Sequence, residues 1–512
     1  MESKKLIDFY ELTMAYCDFK NDKRDETSYF DVYFRKNLDN GGYNISGGLD
    51  EIIDYIQNLH FDKADIEHLR KTGQFDEEFL SYLANFKFSG DIYAVEDGTV
   101  IFPNEPIITV KANNLEAQLL ETDLLNKFNH ASMIATKSRR IVEEAKGRGV
   151  MEFGARRAQG GDGAMIGAKY AYIAGAVGTS CYETGKKYNI PLLGTMAHSH
   201  IMKYASEYDA FLAYAKVYPN NAIFLVDTID TLKSGVKNAI AVAKDYLMPN
   251  GYRLKGIRLD SGDLAYLSKK ARQMLDDAGL NDCQICVSNS LDEYLIKDLL
   301  AQNAPIDSFG VGENLITSKN CPVFGGVYKL VAEEGKNGQI VPKIKISENV
   351  EKITNPGYKK VYRFYDNETG KALGDVVALA NEVIPKDCYT LFDEKENWKR
   401  LTIENYTVKE LQVPIFVGGK LVYKKPSINE TRAKVDAEMQ TFWDEIKRLN
   451  NPHKYYVDLS KDLLELKQTL IWNNRSKLID LSNLNAKANL NKNEIINEKE
   501  NKNVIQNDLI KK

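Results

Sequence analysis

Three short stretches of the chain place cations, carboxylates and an imidazole at the ends of apolar runs. In KGIRLDSGDL (255–264), Arg258 and Asp260 fall on one face of an expected strand and Ile257 and Leu259 on the other. A guanidinium held at such a position needs an anion, either Asp260 or a ligand carboxylate or phosphate gripped by its planar fork. In FGARRAQGGDG (153–163), Arg156 and Arg157 stand beside a glycine-rich turn between an expected strand and helix, which suits a phosphate cradle. It is not a Walker loop, because no Gly-Lys-Ser/Thr follows. In LLGTMAHSHIM (192–202), Thr195 and His198 follow a short run read as a buried strand. That histidine either caps the next helix or belongs to a reacting site.

Two later stretches extend the set. DSFGVGENLITS (307–318) is a second glycine turn, in which Gly310 and Gly312 let a ligand approach the backbone closely. Its late place in the chain fits a phosphate site in an α/β barrel. VSNS (287–290) adds the hydroxyl of Ser288 and the amide of Asn289 just before it. IFLVDTID (223–230) supplies Asp227 and Asp230 after a buried run. Asp227 suits Mg²⁺ or ribose hydroxyls, whereas either aspartate can simply cap the following helix. Together these groups fit a phosphorylated sugar and a small acid. No Ser-His-Asp order emerges, and His198 and His200 lack a third metal ligand. Cys283 and Cys286 form a C-x-x-C inside an apolar run, which favours structural burial over redox chemistry.

The elements that must position these groups follow from hydrophobic period. Residues 1–113 mix strand-like and helical patterns and read as an α+β N-terminal domain. Residues 114–330 read as the α/β catalytic domain. It opens with a long amphipathic helix capped by Asn114 and stopped by Gly147 and Gly149. The runs VMEFG, IPLLGTMA, AIFLVD, KGIRLD, CQICVS, DSFGVG and FGGVYKL then alternate with helix-length segments. That rhythm predicts an irregular seven-stranded α/β barrel, with chemistry at the carboxyl ends of its strands. Residues 331–472 read as a β-rich and helical C-terminal portion packing on the N-terminal domain, with a hairpin turning at Asn367–Gly370. Residues 473–512 are rich in Asn, Lys, Ile and Glu and read as a frayed helix or disordered tail.

Composition excludes several classes. A 512-residue chain with 43% hydrophobic and 27% charged residues is expected to fold into two or three domains. A formal net charge of -4 gives no basic field for nucleic acid. No apolar run is long enough for a membrane span, and Asp8 and Glu11 interrupt any signal-peptide core. Six scattered cysteines make no disulfide framework, so a cytoplasmic location is expected.

The ordered motifs DFYELTMAY, YFDVYFRKN, FGARRAQG, GTMAHSH, GIRLDSGDL, FGVGENLITS and GGVYKL resemble nicotinate phosphoribosyltransferase, the type II phosphoribosyltransferase family of NAD salvage. The match spans about Asp8 to Glu382. The resemblance implies an irregular α/β barrel, usually in a homodimer whose partner completes each active site. It implies joining nicotinate to 5-phosphoribosyl-1-pyrophosphate to give nicotinate mononucleotide and pyrophosphate. ATP is then a co-substrate that transiently phosphorylates His198, the histidine of Gly-Thr-x-Ala-His-Ser, and His200 stays structural. Tyr10, Thr195 and Arg258 would surround nicotinate, with Tyr10 stacked on the ring and Arg258 on its carboxylate. Arg156 would serve pyrophosphate, with Arg157 in the same phosphoribosyl pyrophosphate site, and Asp227 and Asp260 ribose or Mg²⁺. Ser288, Asn289, Gly310 and Gly312 would hold the 5′-phosphate. Glu313 departs from the Thr that several members carry there, and a carboxylate cannot donate to phosphate as a hydroxyl does.

Other readings stay open on residues alone. A quinolinate enzyme would demand more cations, and a nicotinamide enzyme would leave Arg258 without a carboxylate. A non-catalytic regulator binding the sugar pyrophosphate would need no His198. A glycan hydrolase using Asp260 and Asp263 lacks an aromatic platform, since Trp398, Trp443 and Trp472 all lie outside the expected barrel.

Overall fold

The computed structural model describes residues 5–474, apart from residues 336 and 397. The polar tail expected from residue 473 therefore lies, beyond residue 474, outside the described residues. The first strands build an antiparallel seven-stranded sheet, in the order Ile340–Pro342, Val327–Glu334, Thr27–Tyr33, Ile108–Asn113, Asp91–Val95, Gln412–Val417, Lys420–Leu421. A second antiparallel-rich sheet gathers C-terminal strands, including the hairpin of Lys359–Asp366 and Ala372–Leu379.

Between them in the chain lies the parallel sheet that carries the candidate site. Its order is Gly178–Thr179, Gly149–Glu152, Ser308–Val311, Gln284–Ser288, Gly256–Leu259, Ile223–Leu225. Most residues of the last four are buried, as expected of parallel strands covered on both faces. Helices return the chain between them, and aspartates fix where three begin. Asp230 accepts from Leu232 and Lys233 N–H, Asp263 from Tyr266 N–H and Asp292 from Leu295 N–H. The capping reading thus holds for Asp230, and Asp263 caps its helix in the same way.

The expected seven-stranded barrel is corrected here. The parallel sheet has six strands and stays open. FGGVYKL does not join it: Val327–Glu334 pairs antiparallel with Thr27–Tyr33 in the other sheet. The run at Leu192 contributes only a single bridge to Thr179, and Leu192 is 49% exposed because nothing pairs with its outer edge. The short strand Gly178–Thr179 takes the edge place beside Gly149–Glu152, which its sequence did not signal. The long helix from Asn114 is also divided. Asn113, not Asn114, caps a first turn at Asn114–Gln118, and the chain restarts as Glu121–Glu144.

That 24-residue helix is buried along residues 131–141 and ties the N-terminal region to the parallel sheet. Its Thr136 hydroxyl accepts from Ile45 N–H, and Ser132 Oγ accepts from Gly47 N–H. On the other side Lys137 and Arg140 pair with the buried Glu293, at 2.6 and 3.4 Å. Cys286 lies within Gln284–Ser288 and Cys283 just before it, both buried and unpaired. Burial pushes the Cys283 thiol up to about 12, which leaves it inert as a nucleophile.

One packing contact fixes the end of the edge strand. A Cβ on Gly235 would stand 1.8 Å from Val226 O, so the helix after Ile223–Leu225 lies directly on the strand backbone. Gly235→Ala must displace either the helix or the residue preceding Asp227. It is expected to destabilise the protein by about 1–3 kcal/mol, as overpacking does. A thermal midpoint equal to that of the parent would contradict this.

Candidate active site

The carboxyl ends of the parallel strands converge on His198. Residues 196–198 leave the Leu192 side of the open sheet and reach its opposite edge. Arg258 Nη2 donates to Met196 O at 3.0 Å, and His198 Nδ1 shares a 3.0 Å hydrogen bond with Thr228 Oγ1. His198 opens a short helix, but Ala197 holds the cap position, so the ring is not the cap. The other ring nitrogen, Nε2, lies 3.9 Å from Asp227 Oδ1 and 3.8 Å from Asp260 Oδ2.

The two aspartates are arranged unequally. Asp227, 1% exposed, accepts from Asp260 N–H at 2.9 Å and Ser261 Oγ at 2.6 Å, both through Oδ2. Its Oδ1 is buried with no hydrogen-bond partner. Asp260 is one-third exposed and accepts from Ser288 Oγ through Oδ1. The geometry therefore joins Asp227, Asp260 and Ser288 in one chain of contacts across adjacent strands. Arg258 does not pair with Asp260. Its Nε is buried without a partner, and so is Thr195 Oγ1. Buried polar atoms left bare are costly unless a ligand supplies the missing bond. Arg258 offers a donor edge and Thr195 a hydroxyl to such a ligand.

The glycine turns meet beside this centre. A Cβ on Gly154 would fall 2.5 Å from Ile316 Cβ and 2.8 Å from Gly312 O, so the 153–157 turn lies on the 312–316 turn. The buried Glu152 fixes the first turn by accepting from Gly154 N–H and from Thr179 Oγ1. A Cβ on Gly310 would meet the Phe153 ring at 2.7 Å. Asn289 and Ser290 both take positive φ, at 93° and 51°, and Asn314 Nδ2 donates to Ser290 O and Leu291 O. Arg156 and Arg157 are exposed on the first turn, and Glu313 faces Arg157 at 3.8 Å.

Tyr10 stands apart. It is half-exposed on the helix Phe9–Lys20, and it shares no ring or hydrogen-bond contact with Arg258, Thr195 or His198 among the described residues. Burial, with Glu121 and Glu11 nearby, pushes its hydroxyl up to about 12. His200 packs edge-on against Tyr204, with ring centroids 5.3 Å apart. Among the described residues no group of three His, Cys, Asp or Glu side chains forms a metal site. Two carboxylates are nonetheless enough for Mg²⁺ when phosphates and waters complete its shell. The bare Oδ1 of Asp227 beside Asp260 fits that requirement.

Sequence reasoning missed four residues. Thr228, next to Asp227 at a strand end, was open to reading as a partner for a nearby imidazole. Glu152 and Asn314 adjoin glycine turns already singled out. Lys319 gave no signal, because its nearness to Glu313 comes from the turn between them.

An open parallel sheet with an imidazole, bare cationic and hydroxyl donors and paired glycine turns at its strand ends defines an α/β protein with a polar face suited to anions. Three family models match: the nicotinate phosphoribosyltransferase N-terminal domain at residues 6–129, the nicotinate phosphoribosyltransferase family at 149–379, and its C-terminal domain at 358–467. A nicotinate phosphoribosyltransferase of Bacillus subtilis is 41% identical over 92% of this chain and 96% of its own. One of Mus musculus is 30% identical over 91% and 96%. The crystal structure of human nicotinic acid phosphoribosyltransferase superposes with a TM-score of 0.81 at 27% identity, covering 91% of this chain and all of that one. The chain belongs to the nicotinate phosphoribosyltransferase family.

The Thr228 bond should set the His198 tautomer. In Thr228→Val, ¹⁵N spectra of histidine-labelled protein should show the ratio of the Nδ1–H and Nε2–H forms shifting several-fold, in line with about 1 kcal/mol for one hydrogen bond. An unchanged tautomer ratio would mean that Thr228 does not orient the ring.

Proposed function

We propose that the protein is a nicotinate phosphoribosyltransferase acting in NAD salvage. It would form nicotinate mononucleotide and pyrophosphate from nicotinate and 5-phosphoribosyl-1-pyrophosphate, with ATP hydrolysed through a phosphohistidine at His198. The observation that carries this reading is the pose of His198. Its Nδ1 is held by Thr228 Oγ1, and Nε2 is turned toward two carboxylates at 3.8 and 3.9 Å. In the tautomer in which Thr228 Oγ1 accepts from Nδ1–H, Nε2 carries the free lone pair. An imidazole so oriented can attack the γ-phosphorus of ATP from Nε2 and release ADP. Later hydrolysis returns the phosphoryl group as inorganic phosphate and frees the ring.

Nicotinate would lie with its carboxylate on the bare Nε edge of Arg258 and near Thr195 Oγ1, two groups the protein itself leaves unsatisfied. Its ring nitrogen attacks the anomeric carbon as pyrophosphate leaves, and it needs no general base because it already carries a lone pair. Asp227 and Asp260 would hold Mg²⁺, which when bound neutralises charge on the departing pyrophosphate. Arg156 would add positive charge there, while Arg157, Ser288, Asn289, Gly310 and Gly312 seat the 5′-phosphate. Positioning by these strand ends would supply much of the rate.

A homodimer belongs to the same proposal. Tyr10 is proposed to stack on the nicotinate ring, yet it has no contact with Arg258 within one chain; the second subunit's copy would supply it. No helix among the described residues is long and apolar enough to cross a membrane. A cytoplasmic setting is consistent with such substrates.

The test mixes purified protein with phosphoribosyl pyrophosphate and Mg²⁺, and with nicotinate, quinolinate or nicotinamide in separate tubes, with and without ATP. Product from nicotinate, increased by ATP, is expected. Product from another ring would move the specificity, and no product in any tube would overturn the reading in favour of a binding role. His198→Ala should lose the ATP stimulation and keep slow ATP-independent synthesis; complete inactivity of the folded variant would contradict that division. Arg258→Lys should raise KM for nicotinate by about tenfold or more, and KM for the sugar substrate much less, because an ammonium cannot replace the fork. Equal losses for both substrates would count against this role.

A further inference from the structure

The junction of the two glycine turns carries a charge that a phosphate seat does not need. Glu313 leaves the backbone next to Gly312, where the 312–316 turn touches the 153–157 turn. Its Oε1 lies 2.8 Å from Lys319 Nζ and its Oε2 3.8 Å from Arg157 Nε. One carboxylate thus engages a cation from each side of the junction. All three side chains reach solvent, at 42% for Glu313, 59% for Lys319 and 62% for Arg157, so an incoming anion has access to both cations. Lys319 holds the Glu313 carboxyl below the usual carboxylate range, which keeps it ionised at neutral pH.

We propose that Glu313 is a built-in competing anion: in the empty site it engages Arg157 and Lys319, and the sugar's phosphate takes those two cations by displacing it. The inference rests on the reading of the glycine turns as the phosphate seat, and it adds Lys319 as a phosphate-binding side chain. A phosphate monoester carries nearly two charges and three acceptor oxygens, so it outcompetes a single carboxylate. A monoanion gains little, because the tethered carboxylate competes at an effective concentration of millimolar order or above. Glu313 therefore raises the threshold for occupancy and selects polyanions over ordinary carboxylates. The same carboxylate re-engages the cations as product leaves.

An exposed pair is weak, so the expected effect is modest. The test titrates inorganic phosphate, then acetate, into the full chain by calorimetry, for the parent, Glu313→Gln, Lys319→Gln and the double variant. Glu313→Gln should tighten phosphate about two- to fivefold and acetate by at least as much, and high salt should shrink both gains. Lys319→Gln should weaken phosphate by a similar factor, and Glu313→Gln should gain less in that background. Unchanged or weaker phosphate binding in Glu313→Gln would overturn the inference, since the carboxylate would then be supporting the turn. Lys319→Gln reads the same contact without touching Glu313, so misfolding of one variant leaves the other decisive. The titration needs no turnover. Nicotinate turnover without a Glu313→Gln gain removes this inference alone. The gain without turnover removes the activity reading and leaves an anion site.

Discussion

The buried carboxylate of Asp227 is the contact on which the candidate site depends. A nearly inaccessible carboxylate is costly to desolvate, and it persists here because Oδ2 accepts from Asp260 N–H and Ser261 Oγ. That arrangement leaves Oδ1 bare and facing His198. It also fixes the backbone at Asp260, whose side chain then takes the hydroxyl of Ser288 on the next strand. Three adjacent strand ends are thus set by one group. Gly235 matters for the same reason: its helix rests on Val226, one residue before Asp227.

A second constraint is the close approach of loops that are distant in the chain. Gly154 and Gly312 have no side chains, so two turns more than 150 residues apart lie backbone to backbone. Asn314 ties the second turn to the 288–291 loop by donating to two carbonyls. That bracing holds Asn289 and Ser290 in backbone conformations that side chains rarely adopt. A loop held so firmly presents its donors with little entropy left to lose, which is the property an anion seat requires. The price is that these glycines and Asn314 tolerate almost no change.

The sequence made the strand ends legible and the closure illegible. Runs such as IFLV, GIRL and QICVS read as buried strands from their apolar content, and Asp227, Arg258, Asp260 and Ser288 do lie in or just past the strands those runs form. FGGVYKL has the same apolar look, but the strand continues through Lys329, Glu333 and Glu334. A strand covered on both faces would not carry those charges, and five of the eight residues of Val327–Glu334 are only partly buried. Gly178–Thr179 is too short for any period to mark. Thr228 and Asn314 stood beside recognised motifs, but their roles depend on partners 30 and 24 residues away. Spacing within one motif carries no such information.

The open sheet has a chemical consequence. In a closed barrel, a further strand would occupy the space between Leu192 and Ile223–Leu225. Here residues 196–198 cross that space as an irregular segment, held by Arg258 on Met196 O and by Thr228 on the imidazole. A strand would have spent its backbone groups on neighbours and pointed alternate side chains away. The irregular crossing instead turns one histidine over the strand ends, leaves Thr195 Oγ1 and Arg258 Nε bare, and keeps the ring 39% exposed. Under the proposed role, in which His198 meets ATP, both properties would be needed, anchorage on one side and access on the other. The gap in the sheet provides them together, because Arg258 on Gly256–Leu259 and Thr228 just past the edge strand Ile223–Leu225 lend the hydrogen-bond partners while the other side of the ring stays open.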